Sequence, residues 1–235
     1  MGRPKGRTAK PHQGKRRRSM LKIYGVGASP FVRKVRVALI EKNVPYEMKT
    51  VFPGDNSPEY RAISPLGKIP ALADGDFTIP DSSVICAYIE KTHPEPPLYP
   101  SEPKQLARAL WFEEYGDTAL AEVLTLGVFF QRVARPLLRG EQPDMNVVNE
   151  AVNERAPVLF DYLQSQLGDA EFLVGNSLTI ADIAVCTQFV NFAHGGYTVD
   201  SSRWPKLAAY VERILGRESF KQLIEEEKAT LPPPA

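Results

Sequence analysis

Three short stretches of this 235-residue chain set reactive or ligand-holding side chains where a strand hands over to a helix or turn. Ser29 follows the first apolar alternation and precedes Pro30, so its hydroxyl sits beside a helix N-terminus, whose free N–H groups and dipole favour an anion. A serine is a poor nucleophile without an adjacent base, and no Gly-x-Ser-x-Gly elbow surrounds this one. Two roles remain: a helix cap, or a hydroxyl that donates a hydrogen bond to a bound thiolate and lowers its pKa. In Gly67-Lys68-Ile69-Pro70 the proline cannot donate to a ladder, so it belongs at a strand start. A cis bond there would open neighbouring backbone groups to peptide-like pairing. Asp81-Ser82-Ser83 opens another helix, where Ser82 and its N–H suit a carboxylate and Asp81 suits an ammonium, unless the three simply cap.

The elements that must hold these residues follow from periodicity. Leu21 to Val26 alternates as a strand, and Ser29-Pro30 opens a helix whose apolar face is Phe31, Val32, Val35, Ala38 and Leu39. Tyr46 to Val51 is a second strand, parallel to the first because a helix supplies the crossover. After a short helix over 58–63, strands at 69–72 and 77–79 are joined by Asp74-Gly75-Asp76, a hairpin signal, and a helix covers 81–91. Residues 93–103 hold five prolines, a linker. Beyond it every convincing segment is helical: 106–126, 147–167, 179–192, 206–215 and 218–228. Thr179 and Asp182 form a capping box, with Leu178 and Ile183 as its staple. The pattern thus predicts a basic extension over 1–19, an α/β domain over 20–92, the linker, an all-α domain over 104–228 and a tail over 229–235.

Composition narrows the function. At 43% hydrophobic and 24% charged, the chain can build a core, and it contains no apolar run long enough to span a membrane. The net charge of +1 hides a split. Residues 1–19 carry eight of the 29 basic side chains and no acid, leaving 21 against 28 acidic ones, a body near −7. Such a body is ill suited to nucleic acid. The extension is expected to be disordered, and Met20 sits where a start codon would leave the folded body intact. Two cysteines a hundred residues apart and three scattered histidines support neither a disulfide scaffold nor a metal site, and fit a reducing, cytoplasmic setting.

In this order and spacing, Ser29-Pro30-Phe31, Gly67-Lys68-Ile69-Pro70, Asp81-Ser82 and Gly175-Asn176-Ser177-Leu178-Thr179-Ile180-Ala181-Asp182 resemble the cytosolic glutathione transferase family over residues 21–228. The resemblance implies a thioredoxin-like N-terminal α/β domain that binds glutathione as co-substrate, with no permanently bound cofactor, followed by an all-α domain. It implies that Ser29 hydrogen-bonds the glutathione sulfur and that Pro70 is the cis-proline beside the Ile69 backbone, which pairs with the cysteinyl part. Lys68 would approach the glycyl carboxylate, and Asp81 with Ser82 would hold the γ-glutamyl end. Phe31, Trp111, Tyr115 and Phe129 would line a site for a hydrophobic electrophile, although Trp111 and Tyr115, four apart, also suit helix packing. A homodimer through 81–91 and 106–126 is expected. No cysteine stands at Ser29, which disfavours mixed-disulfide chemistry, and Lys34 stands where related classes usually have arginine, which leaves the class open. The expected reaction is thiolate conjugation. Glutathione-dependent dehalogenation, isomerisation or peroxide reduction, or ligand binding without turnover, are the alternatives.

Overall fold

The computed structural model describes residues 20–235, so the expectations for the basic extension lie outside the described residues. A four-stranded sheet has the order β2-β1-β3-β4, built from β1 (Leu21–Gly25), β2 (Tyr46–Thr50), β3 (Ala71–Asp74) and β4 (Phe77–Pro80). β1 pairs parallel with β2 and antiparallel with β3, and β3 pairs antiparallel with β4. The crossover is α1 (Pro30–Glu41), and α2 (Pro58–Ile63) and α3 (Ser82–Thr92) complete this part. Ile23, Val35, Leu39, Leu72, Ile85 and Ile89 are sealed between sheet and helices. Gly25 has φ +154°, and a Cβ on it would come within 2.5 Å of the Val32 side chain, so glycine lets α1 settle onto the end of β1.

The remaining elements are helical. One rod runs through α4 (Pro103–Tyr115), α5 (Gly116–Ala134, wound as a π-helix) and α6 (Arg135–Arg139). A second runs through α7 (Met145–Glu150), α8 (Ala151–Arg155, also π-helical) and α9 (Ala156–Leu167). Then come α10 (Ile180–His194), α11 (Pro205–Leu215) and α12 (Glu218–Lys228). The first rod is much longer than the expected 106–126. Pro103 is not a linker residue but the opening of α4, because Glu102 caps it by accepting from the N–H groups of Lys104 and Gln105. Helix α10 is buried along nearly its whole length. At Gly116 a Cβ would lie 2.7 Å from the Ala184 carbonyl oxygen, so α5 meets α10 backbone to backbone. The capping box at Thr179 and Asp182 is present. Asp182 reaches further, accepting from the N–H and hydroxyl of Thr179, the N–H of Leu173 and the hydroxyl of Tyr210. The linker is clamped: Lys42 donates to the carbonyls of His93 and Pro96, and Leu98 accepts from the Ile180 N–H.

Charge joins the two parts. Arg33, on the first turn of α1, is fully buried. Its Nε and Nη2 grip the Glu227 carboxylate at 2.8 and 2.5 Å, and its Nη1 donates to Thr187 and Asn191. Burial alone would raise Glu227, but the Arg33 guanidinium and the His194 ring hold it below the usual carboxylate range. Lys34, equally buried, donates to Ser83 Oγ, to Glu113 at 3.1 Å and to Asp117. An ammonium has three protons and here finds three acceptors, which accounts for lysine in place of a five-donor guanidinium. Burial would lower Lys34, yet Asp117 and Glu113 hold it above its usual value. Burial in turn pushes Glu113 up.

Because Glu227 is depressed, its contribution is present above its unfolded pKa and is lost as pH falls through the folded value. Arg33→Met is expected to cost about 3–5 kcal/mol in urea denaturation by stranding a buried carboxylate, and adding Glu227→Met is expected to regain much of that loss. A double variant as unstable as the sum of the single ones would contradict the pairing.

Candidate functional site

A cleft of about 1440 Å³ opens between the sheet part and the helices, and Ser29, Phe31, Lys68, Ile69, Pro70, Asp81, Ser82 and Phe129 all line it. Eight of the ten residues singled out from sequence therefore share one cavity. Its volume exceeds that of a typical small-molecule pocket, leaving space for two ligands side by side.

Ser29 is the N-cap of α1, accepting from the Val32 N–H at 3.4 Å. That bond uses a lone pair, and among the described residues nothing accepts the hydroxyl proton, so Ser29 caps and still has a donor to offer. The two roles left open by the sequence are compatible. The first turn of α1 contains no acid. Arg36, one turn further on, also lines the cavity, held by Glu226 at 2.6 Å and by the Tyr46 hydroxyl at 2.9 Å. Burial would lower Arg36, while its bond to Glu226 raises it, so it stays a fixed cation.

The Ile69–Pro70 bond is cis, as expected from the resemblance. The strand begins only at Ala71, after Pro70 rather than at Ile69, because Pro70 has no N–H for the ladder. Tyr60 and Ser64 both donate to the Lys68 carbonyl, at 2.7 and 2.8 Å, fixing the approach to this turn. The Ile69 N–H and C=O make no hydrogen bond among the described residues, which leaves a short backbone edge open on the cavity wall. The Lys68 side chain is exposed at the same wall.

Asp81 caps α3 from a backbone with φ +81°, a conformation that costs a non-glycine residue of order 1–3 kcal/mol. Its Oδ1 accepts from Ser83 N at 3.0 Å and from Val84 N at 3.2 Å, leaving Oδ2 open. The Ser82 N–H and hydroxyl have no partner among the described residues, although Ser82 is 5% exposed. An open carboxylate oxygen thus lies beside an open N–H and O–H at a helix N-terminus. That arrangement suits a zwitterionic amino-acid end, its carboxylate at Ser82 and its ammonium at Asp81. Ser83 ties this corner to Lys34 and to Asp117, which lines the cavity from α5.

Trp111 and Tyr115 are not part of the cavity, which corrects the expectation for them. The Trp111 indole donates to the Tyr162 hydroxyl at 2.7 Å, and Tyr115 donates to the Leu159 carbonyl. Both lie on the face of α4 turned toward α9, the packing alternative that their spacing allowed. The helical wall is instead supplied by Glu114, Asp117, Thr118, Thr125, Leu126 and Phe129, continued by Leu137 and Leu138. The spacings 114/118, 118/125 and 125/129, of four or seven, mark one helix face and were available in the sequence. The contributions of Glu226, Glu227, Thr230 and Leu231, beyond the expected 104–228 for the last two, had no sequence signal. Cys86 and Cys186 are free and buried, and burial pushes both thiols up, away from reactivity. No helix among the described residues is long and apolar enough to cross a membrane.

Comparison with known proteins gives the same outline. The chain matches the glutathione S-transferase N-terminal domain over residues 23–97 and the glutathione S-transferase C-terminal domain over residues 129–227. It is 31% identical to the uncharacterized GST-like protein YibF of Escherichia coli (strain K12), over 85% of this chain and 96% of that one. A solved glutathione S-transferase from Rhodospirillum rubrum F11 superposes with a TM-score of 0.82 at 26% identity, covering 92% of this chain and 96% of its own. Another, from Methylobacterium radiotolerans in complex with glutathione sulfonate, has a TM-score of 0.71 at 27% identity, covering 88% and 95%. With a thioredoxin-like sheet part, a helical part, and both domain models matched in order, this chain belongs to the glutathione S-transferase family.

Proposed function

We propose that this protein conjugates the thiolate of glutathione to hydrophobic electrophiles. The observation that carries this reading is the Ser29 hydroxyl, whose proton is free, at the N-terminus of α1 on the floor of the cleft. The glutathione thiol is mostly protonated at neutral pH. A hydrogen bond from Ser29, the α1 dipole and the fixed Arg36 cation all favour the thiolate. The open Ile69 backbone edge pairs with the cysteinyl peptide unit, Lys68 faces the glycyl carboxylate, and Asp81 with Ser82 receives the γ-glutamyl end. The complex of the Methylobacterium relative with glutathione sulfonate supports a tripeptide in such a cleft. Phe31 and Phe129, with Leu126, Leu137 and Leu138, form the apolar wall opposite, where an electrophile is held against the sulfur.

Since the thiolate is the reacting form, kcat/KM should rise with pH and level off above the pKa of bound glutathione. Ser29→Ala removes the donor, so the inflection is expected to move upward by about one pH unit and the acid limb to fall about tenfold, with the fold intact. A coincident profile for both proteins would exclude Ser29 from this role.

We further propose that the protein acts as a homodimer through α3 and α4. Val84 on α3 and Leu110 on α4 are each nearly half exposed, and the two helices are bridged by Lys34. Analytical ultracentrifugation should show a dimer, and Val84→Glu with Leu110→Glu a monomer. A dimer unaffected by both changes would place the interface elsewhere.

A further inference from the structure

Arg36 is 6% exposed and still presents one uncommitted nitrogen at the cleft. Its Nε donates to the Tyr46 hydroxyl at 2.9 Å and its Nη2 to Glu226 at 2.6 Å. Nη1 has no partner among the described residues. It is open to solvent as well, because the unpartnered side-chain atoms shut away from solvent are Asp117 Oδ1, Gln188 Nε2 and Asn191 Nδ2. Pinning α12 onto α1 takes only the bond to Glu226. The third nitrogen keeps two N–H bonds, on a group that is always charged, for an occupant of the cleft.

Gly27 keeps that nitrogen uncovered. It lines the same cavity, and a Cβ on it would lie 3.6 Å from Arg36 Nη1 and 3.6 Å from Glu227 Cγ. Gly27 is not among the glycines with positive φ, so its backbone does not require glycine. A longer side chain there would lie over the guanidinium. The acids on this side are already engaged: Glu227 by Arg33 and His194, and Glu226, more than half exposed to screening water, by Arg36 itself. Among the described residues, Lys68 is the one other cation that lines the cavity, and it serves the glycyl carboxylate on the proposed reading.

Resting on the transferase reading above, we infer that Arg36 Nη1 binds a carboxylate of the second substrate, so that the preferred electrophiles are anionic. Gly27 and Ser29 are two residues apart, at most about 7 Å between α-carbons. The carboxylate and the reacting carbon therefore belong on one short apolar frame, such as opposite ends of a benzene ring. Tyr46 and Glu226 hold the guanidinium in place before the substrate arrives, which lowers the ordering cost of binding. With a halide as leaving group, the glutathione thiol first gives its proton to solvent. A sulfur electron pair then forms the bond to carbon, the carbon–halogen bond breaks, and its pair departs with the halide. Nothing is oxidised or reduced overall, and the carboxylate stays intact on Arg36.

The test compares para-(chloromethyl)benzoate with its neutral methyl ester, since both lose chloride and only the first carries the anion. With each kcat/KM divided by the rate constant of free glutathione thiolate, the wild type is expected to favour the acid about tenfold or more. Arg36→Met removes the cation, and Gly27→Leu covers it while leaving its bonds to Tyr46 and Glu226. Each is expected to bring the acid to ester ratio close to one, and a ratio taken within one protein cancels any general change in thiolate stabilisation. Calorimetric titration with glutathione separates the two sources of a carboxylate. A collapsed ratio with retained glutathione affinity supports the inference. Lost affinity with an unchanged ratio would assign Nη1 to the glycyl carboxylate and overturn it. An acid to ester ratio near one in the wild type would overturn it too, whatever the variants do. Acceleration of the ester only would overturn this inference and leave the transferase reading standing, whereas acceleration of neither would overturn both.

Discussion

Helix α1 is enclosed on all sides, and two full charges are enclosed with it. Arg33 and Lys34 lie near its N-terminus at zero exposure, a position that would be costly without partners. The helical part supplies those partners as Glu227, Glu113 and Asp117, each with good geometry. The relation between sheet and helices is thereby specified by charge pairing as well as by apolar burial. The α1 N-terminus, where Ser29 stands, is held in place by the same contacts. Thr187 and Asn191 complete the shell around Arg33. One buried arginine thus ties the helix that Ser29 caps to two helices of the second part.

Much of this was legible in the sequence because it rests on local rules. The βαβ and ββα order follows from apolar alternation, from Pro30 at a helix start and from Asp74-Gly75-Asp76 at a hairpin. Ser29, Ile69, Pro70, Asp81 and Ser82 are all located by the starts of strands and helices, and the structure brings them to one cavity. What was not legible depends on partners far apart along the chain. Arg33 and Glu227 are separated by 194 positions, and no pattern around either announces the other. Lys34 stood out only as a departure from arginine, and its three acceptors explain it once α3, α4 and α5 are in place. Trp111 and Tyr115 were misplaced because a four-residue spacing defines a helix face without saying which neighbour that face meets. In α10 a faint signal existed: Thr187, Gln188 and Asn191 interrupt the apolar run from Ile183 to Ala193. Polar side chains in such a helix need partners, and two amide nitrogens, Gln188 Nε2 and Asn191 Nδ2, have none among the described residues.

The cleft has two different walls. On the sheet side, polar groups are open and fixed by backbone geometry: an unpaired peptide edge at Ile69, a helix N-terminus at Ser82 and a free carboxylate oxygen at Asp81. On the helical side, Leu126, Phe129, Leu137 and Leu138 form an apolar stretch beside Glu114, Asp117 and Thr118, and the three leucines are more than half exposed at the mouth. On the proposed reading, a polar tripeptide and an apolar second substrate are sorted to opposite sides, with Ser29 between them. No step in this arrangement asks a side chain to form a covalent bond. On that reading the chain's task is to hold a thiolate at neutral pH and to bring an apolar partner against it.

The central claim is that the α1 N-terminus and the Ser29 hydroxyl stabilise the thiolate of bound glutathione. The most direct measurement is titration of the ultraviolet thiolate absorbance of glutathione bound at saturation to the wild type and to Ser29→Ala, with no electrophile present. The account predicts that glutathione on the wild type ionises about one to two pH units below the free thiol, and that the Ser29→Ala complex returns most of the way to it. Wild-type and variant complexes that both titrate with free glutathione would contradict it.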